Sequence, residues 1–207
     1  MRSATIGLLI GALLLVGACA SRDRPPPLPD EEWDAAHNRH YENLTQAEFY
    51  AAAEEVFRLA DGNDFEFEYD VQEENQLVAK RSFFVFAIFI VVAGEDAWYL
   101  RAIPNDGGID GNARIFTRER VSDGSWHVRK NTYLARSVAV LNMFWDRMDY
   151  VLGRSDHWPT CDEVEAMYEN ETNPYRSSTG ALCNGTMKDI DPRSGEAGIE
   201  EQETLEE

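Results

Sequence analysis

The chain has 207 residues, 43% of them hydrophobic, and a formal net charge of −19. That length supports a single domain of roughly 150 residues after terminal segments are set aside. The acid excess argues against nucleic acid as a partner and against charge-driven docking on bare anionic lipid.

The first residues read as an export signal. Arg2 gives a weakly positive head, and Ile6 to Val16 gives eleven apolar residues. Such a run matches a signal-peptide core and is too short to span a bilayer. Small residues then precede a cysteine. The stretch Val16-Gly17-Ala18-Cys19 resembles the lipobox of bacterial lipoproteins. The resemblance covers about the first tenth of the chain. It implies cleavage before Cys19, a diacylglycerol on its thiol and an acyl group on the new amino terminus. Two or more acyl chains hold a protein firmly to a membrane. Loss of Arg2 takes the mature chain to a charge of about −20.

Ser21 to Pro29, SRDRPPPLP, follows as an extended proline-rich tether. The residue after Cys19 is Ala20, not the Asp that retains enteric-type lipoproteins on the inner membrane. The resemblance therefore implies an outer-membrane lipoprotein facing the periplasm. The expected segments are a signal peptide over 1–18, the lipidated Cys19 and tether over 19–43, one domain over 44–187 and a tail over 188–207. His37 and His40 stand three apart within the tether, without a metal-binding pattern around them.

The domain opens on Thr45 to Glu48, a capping box. Phe49, Ala52, Ala53, Val56, Phe57 and Ala60 follow at helical spacing, and Asp61-Gly62 ends the helix. In FEFEYDV, Phe65, Phe67, Tyr69 and Val71 alternate with acids, the pattern of a half-buried strand. A polar turn over Gln72 to Gln76 leads into a return strand from Leu77. Ser82 to Ala93, SFFVFAIFIVVA, is apolar throughout and reads as one strand apolar on both faces. Such a strand demands cover on both sides, from a curled sheet closing its own core, a lipid-sized cavity or a docking partner.

Strands are expected over Trp98 to Pro104 and Ala113 to Val121. Between them NDGGIDGN, Asn105 to Asn112, reads as a loop whose Asp106, Asp110 and Asn112 do not fit an EF-hand. Asp123-Gly124 signals a tight turn into a strand over Trp126 to Arg129. Leu134, Val138, Leu141, Trp145, Met148 and Leu152 then step along one helical stripe, stopped by Gly153. Trp126, Trp145, Trp158, Tyr133 and Tyr150 gather around this helix as core. A second capping box, Thr160 to Glu163, opens a shorter helix to about Asn170. Cys161 and Cys183 are an even pair in an exported chain and are expected to form a disulfide. The tail ends GEAGIEEQETLEE and has the composition of a disordered segment.

The order helix, strands, helices predicts an α+β fold: an antiparallel meander with helices packed on one face. This resembles the helix-grip arrangement. No G-x-S-x-G, phosphate-loop or dinucleotide fingerprint is present, and no spacing orders a catalytic triad or a metal site. The expectation is a non-enzymatic accessory or interaction protein of the envelope without a cofactor, held to the membrane by its lipid and working with envelope proteins. The alternative is a carrier or sensor of an apolar ligand such as a lipid.

Overall fold

The computed structural model describes residues 27–60, 67–73, 76–87, 90–122, 128–135, 137–183 and 192–193. The signal segment, Cys19, Asp61-Gly62, Phe65, Asp123-Gly124, Trp126 and all of the acidic tail except Pro192 and Arg193 lie outside these residues. Among the described residues the elements run α1 (Asp30–His37), β1 (Asn38–Glu42), α2 (Gln46–Ala60), β2 (Glu68–Glu73), β3 (Gln76–Ala87), β4 (Ile90–Asn105), β5 (Gly108–Ser122), β6 (Val128–Ala135), α3 (Val138–Val151), α4 (Cys161–Met167) and α5 (Pro174–Ser177). The strands form one antiparallel sheet in the order β1-β5-β4-β3-β2, with β6 also paired to β5. The fold is α+β, as the sequence order predicts.

Three of the helices, α2, α3 and α4, start at a side-chain cap. The Thr45 backbone N–H donates to Glu48 Oε2 at 2.9 Å, and the Glu48 N–H donates back to Thr45 Oγ1 at 3.3 Å. Thr160 and Glu163 make the same reciprocal pair at α4. Together these bonds satisfy N–H groups that a helix start leaves open. Ser137 caps α3 through the Val140 N–H. Gly153 ends the α3 region at φ +71°, a conformation that L side chains rarely adopt.

The core lies between α2, α3 and one face of the sheet. All six predicted stripe residues of α2 are buried. Phe57 stands at the centre, with ring centroids 4.8 Å from Phe67, 5.4 Å from Trp98 and 5.5 Å from Phe144. Trp145 donates its indole N–H to the Ala36 carbonyl at 2.8 Å, which ties α1 to α3. Cys161 and Cys183 are joined by a disulfide, 22 residues apart in sequence. It links the start of α4 to a segment whose Ala181 carbonyl accepts the Trp98 indole N–H at 3.1 Å.

Four expectations need correction. Ser82 to Ala93 is not one strand. It is the end of a hairpin in which β3 runs to Ala87 and β4 returns from Ile90, with Phe84 paired to Ala93 and Ala87 to Ile90. Asn105 to Asn112 is not an open loop: Asn105 pairs with Gly108 across Asp106-Gly107, and Gly107 takes φ +106°. Leu134 belongs to β6, paired with Phe116, so the long helix begins at Val138. Residues 30–42, expected within the tether, form α1 and β1 and pack into the domain through Ala36 and Tyr41. In the tail segment, Arg193 lies over the Tyr150 ring at 3.8 Å and donates to its carbonyl.

The reason for the first correction is visible in the register. Side chains alternate between faces along each strand. A run apolar at every position looks the same whether it is one doubly buried strand or two strands meeting at a turn.

Candidate functional site

The helices cover only part of the sheet. β4 has 16 residues and β5 has 15. Trp98, Ala79 and Ile115 lie in one row facing the helices. Two residues further along sits a polar row: Arg81, Asp96 and Thr117, all buried. Thr117 donates its hydroxyl to Asp96 at 2.6 Å, and Arg81 stands 4.0 Å from the same carboxylate. Arg81 also donates to the Gly180 carbonyl and lies 5.2 Å from the centre of the Phe67 ring. Burial pushes the Asp96 carboxyl above its usual range, against the Thr117 bond and the Arg81 charge. This row marks the edge of the apolar core.

Beyond it the β3–β4 hairpin continues without helix cover. Phe83 lies against Gly94, where a Cβ would stand 2.2 Å from its ring. Phe84 is 60% exposed and Ile90 is 46% exposed. These two belong to opposite faces of the hairpin by the alternation of the register.

The face of the sheet opposite the helices carries a cluster of cations on β3 to β6, with the exposed acids Glu42, Glu68 and Asp110 on the same side. Lys80, Arg101, Arg114, Arg118, Arg120 and Lys130 share it, and all but the half-buried Lys80 are exposed. Glu95 lies among them, 3.9 Å from Arg118. Among the described residues, neither Arg120 nor Lys130 has an acidic partner within salt-bridge distance. Tyr99 and Phe116 meet edge to face at 5.5 Å on the same side. A depression of about 420 Å³ beside Ala93 and Gly94 is of mixed charge, lined by Arg118, Arg120 and Lys130 together with Glu95 and Glu119.

The charge is thus segregated. Helices α1 to α4 carry twelve acidic residues and two arginines. The six strands carry nine Lys and Arg and eight Asp and Glu, with the cations concentrated in β3 to β6. A net charge of −19 averages over the acidic helices and this near-neutral sheet and conceals the cation cluster. Sequence reasoning missed this site for that reason. The available signal was the alternation of Arg114, Phe116, Arg118 and Arg120 at period two along β5.

The other singled-out residues do not converge. His37 Nδ1 hydrogen-bonds the Trp33 carbonyl at 2.9 Å, while His40 Nδ1 meets Asp110 at 2.7 Å. That bond, with one from Asn105, holds the Asp110 carboxyl below its usual range. Asn112 donates to Asn38, so Asp110 and Asn112, two of the three candidate oxygen ligands of this turn, are directed to different partners. A depression of about 360 Å³ between α3 and α4 holds Asp146, Asp149, Ser155, His157 and Glu163. There His157 Nε2 points to Glu163 at 3.3 Å, and the Ser155 hydroxyl engages the His157 backbone. The bonds these groups make go to a capping carboxylate and to a turn, not from nucleophile to base. No group of three His, Cys, Asp or Glu among the described residues is placed to hold a metal ion. No helix among them is long and apolar enough to cross a membrane.

The site that stands out is therefore the cation cluster of the open face with the apolar hairpin end beside it. No family model, no curated protein and no solved structure matches the chain.

Proposed function

We propose that the protein is a lipid-anchored envelope protein that acts by binding rather than by catalysis, on the periplasmic side of the outer membrane. The observation that carries this reading is the one-sidedness of the fold. Helices, disulfide and the entry from the tether all gather on one face, and the other presents a cluster of six Lys and Arg side chains carried by the strands. A rigid sheet holds such side chains in fixed positions, as a recognition surface requires. The lipobox-like stretch ending at Cys19 supports the anchor. The Cys161–Cys183 disulfide supports an oxidising compartment.

The test is metabolic labelling with palmitate followed by carbonate extraction. The native chain takes up label and resists extraction; Cys19→Ser takes up none. A native chain that incorporates no label overturns the anchor.

A further inference from the structure

The two sulfurs of the Cys161–Cys183 disulfide sit in unlike surroundings. Cys161, at the start of α4, is half-buried, while Cys183 is 8% exposed and belongs to the apolar core. The buried Arg147 donates through Nη2 to Cys161 Sγ at 3.8 Å. The sulfur of Cys183 faces the thioether of Met143 at 3.6 Å. A cation touches one sulfur and an apolar neighbour touches the other.

This difference has a chemical consequence once the bond is open. A guanidinium against sulfur favours the thiolate, the form that attacks disulfides, whereas apolar burial favours the thiol. The acids of α4 oppose the cation. Asp162 and Glu163 follow Cys161 directly, and Glu165 accepts the Thr179 hydroxyl at 3.0 Å. All three are exposed, as is His157 beside Glu163, so water and salt screen their charges. Arg147 is 1% exposed, so its charge acts through protein and prevails at the sulfur.

The arrangement does not depend on the disulfide. Arg147 donates twice to the Pro159 carbonyl and stacks on the Trp158 ring, which fixes the chain two and three residues before Cys161. On the other side, the Leu182 and Cys183 N–H groups donate to the Thr179 carbonyl. Trp98 holds the Ala181 carbonyl and Arg81 the Gly180 carbonyl. Both cysteines are thus held in place by contacts other than their own bond.

We propose that Cys161 is the attacking sulfur through which this disulfide is made in the folded chain, by a partner protein that carries a reactive disulfide, and that Cys183 resolves the mixed intermediate. The Cys161 thiolate attacks one sulfur of the partner's disulfide. That bond breaks, and the partner's other sulfur leaves as a thiolate. Cys183 gives its proton to water, and its sulfur attacks Cys161 Sγ. The Cys161–Cys183 bond forms, the mixed bond breaks, and the first partner sulfur leaves as a thiolate. Two electrons pass from the two cysteines to the partner's disulfide, and the two protons they release balance the two thiolates formed. In reverse, an external thiolate that reaches Cys161 must expel Cys183 as a thiolate into the apolar core. The bond is therefore made faster than it is broken. The inference rests on the oxidising compartment of the preceding reading only for where such a partner works.

The test takes the full chain as isolated from cells, reduces it without unfolding it, and gives it short pulses of iodoacetamide across a pH series. Peptide mass spectrometry reads Cys161 and Cys183 separately. At neutral pH Cys161 is expected to react roughly tenfold faster than Cys183. Exposure alone raises a rate without moving its pH profile, so the profile decides. The Cys161 profile is expected at lower pH in the folded chain than in urea, and the Cys183 profile at higher pH. Arg147→Met is expected to return the Cys161 profile to its position in urea, and Arg147→Lys to keep part of the displacement; the native chain decides alone if a variant does not fold. With glutathione disulfide as the probe, Cys183→Ser accumulates a mixed disulfide at Cys161, and Cys161→Ser stays largely unmodified at Cys183. A Cys161 profile that is not displaced from its position in urea overturns the proposal, as does a mixed disulfide that forms equally at Cys183. None of these readouts depends on the state of Cys19, so failure here leaves the anchor standing, and an unacylated Cys19 leaves this proposal standing.

Discussion

Two phenylalanines in one small domain give opposite expectations when truncated. Phe57 is fully buried, and its ring packs against Phe67, Trp98 and Phe144 with centroids within 5.5 Å. Phe57→Ala removes a ring from a closed aromatic cluster and leaves a cavity that α2, α3 and the sheet fill only in part. The loss is about 3–5 kcal/mol. Phe84 is 60% exposed on an uncovered hairpin. Phe84→Ala removes a ring that is mostly in water already, and the change stays within about 0.5 kcal/mol. With a urea slope of about 2 kcal/mol/M, Phe57→Ala lowers the midpoint by about 2 M and Phe84→Ala by about 0.3 M or less. Urea unfolding in vesicle-free buffer, followed by tryptophan fluorescence, reads both. A Phe84→Ala midpoint falling as far as that of Phe57→Ala refutes the reasoning: Phe84 would then lie in a closed core, as a single doubly buried strand requires.

Three further outcomes are expected. Arg147 is buried, donates through Nε and Nη2 to the Pro159 carbonyl at 3.1 and 2.9 Å, and stacks 4.3 Å from the Trp158 ring centre, so Arg147→Lys, which cannot reproduce the planar fork, costs about 1.5–3 kcal/mol by denaturant titration. Bonds from the Thr45 side chain and backbone hold the Glu48 carboxyl below its usual range, so the cap's stabilisation is full above that range and is lost as pH falls through the lowered value; Thr45→Ala therefore destabilises at pH 7, and melting curves show the difference shrinking at acid pH. Reduction of Cys161–Cys183 frees a 22-residue separation and lowers stability by about 3 kcal/mol, read as a shift in the urea midpoint with and without reductant.

Much of the fold was legible where one local signal dominated. The Thr45 and Thr160 boxes marked helix starts because the capping geometry needs those residue types three apart. The stripe Phe49 to Ala60 matched the buried face of α2 residue for residue. The Cys161–Cys183 pairing was legible because the sequence offers only two cysteines beyond Cys19. The signals failed where two structures share one pattern. An unbroken apolar run conceals a hairpin, since FVFAIFIVV contains no Gly, Pro, Asn or Asp to mark its turn. Asn105 to Asn112 holds so many turn residues that it reads as a loop, although one tight turn uses only Asp106 and Gly107. Leu134 fits the helical stripe by spacing, yet the β5–β6 ladder claims it. The cation cluster was illegible for a different reason. Its cations come from β3, β4, β5 and β6, and only the sheet register brings Lys80, Arg101, Arg118 and Lys130 to one side.

The central claim is that a lipid at Cys19 holds this domain at a membrane. Intact mass of the chain purified from the membrane fraction tests it most directly. The account predicts a chain beginning at Cys19, heavier than its sequence by a diacylglyceryl group and an acyl group. It also predicts a gain of about two mass units on reduction, from the Cys161–Cys183 bond. A chain beginning at Ala20 or beyond, with no added lipid, contradicts it.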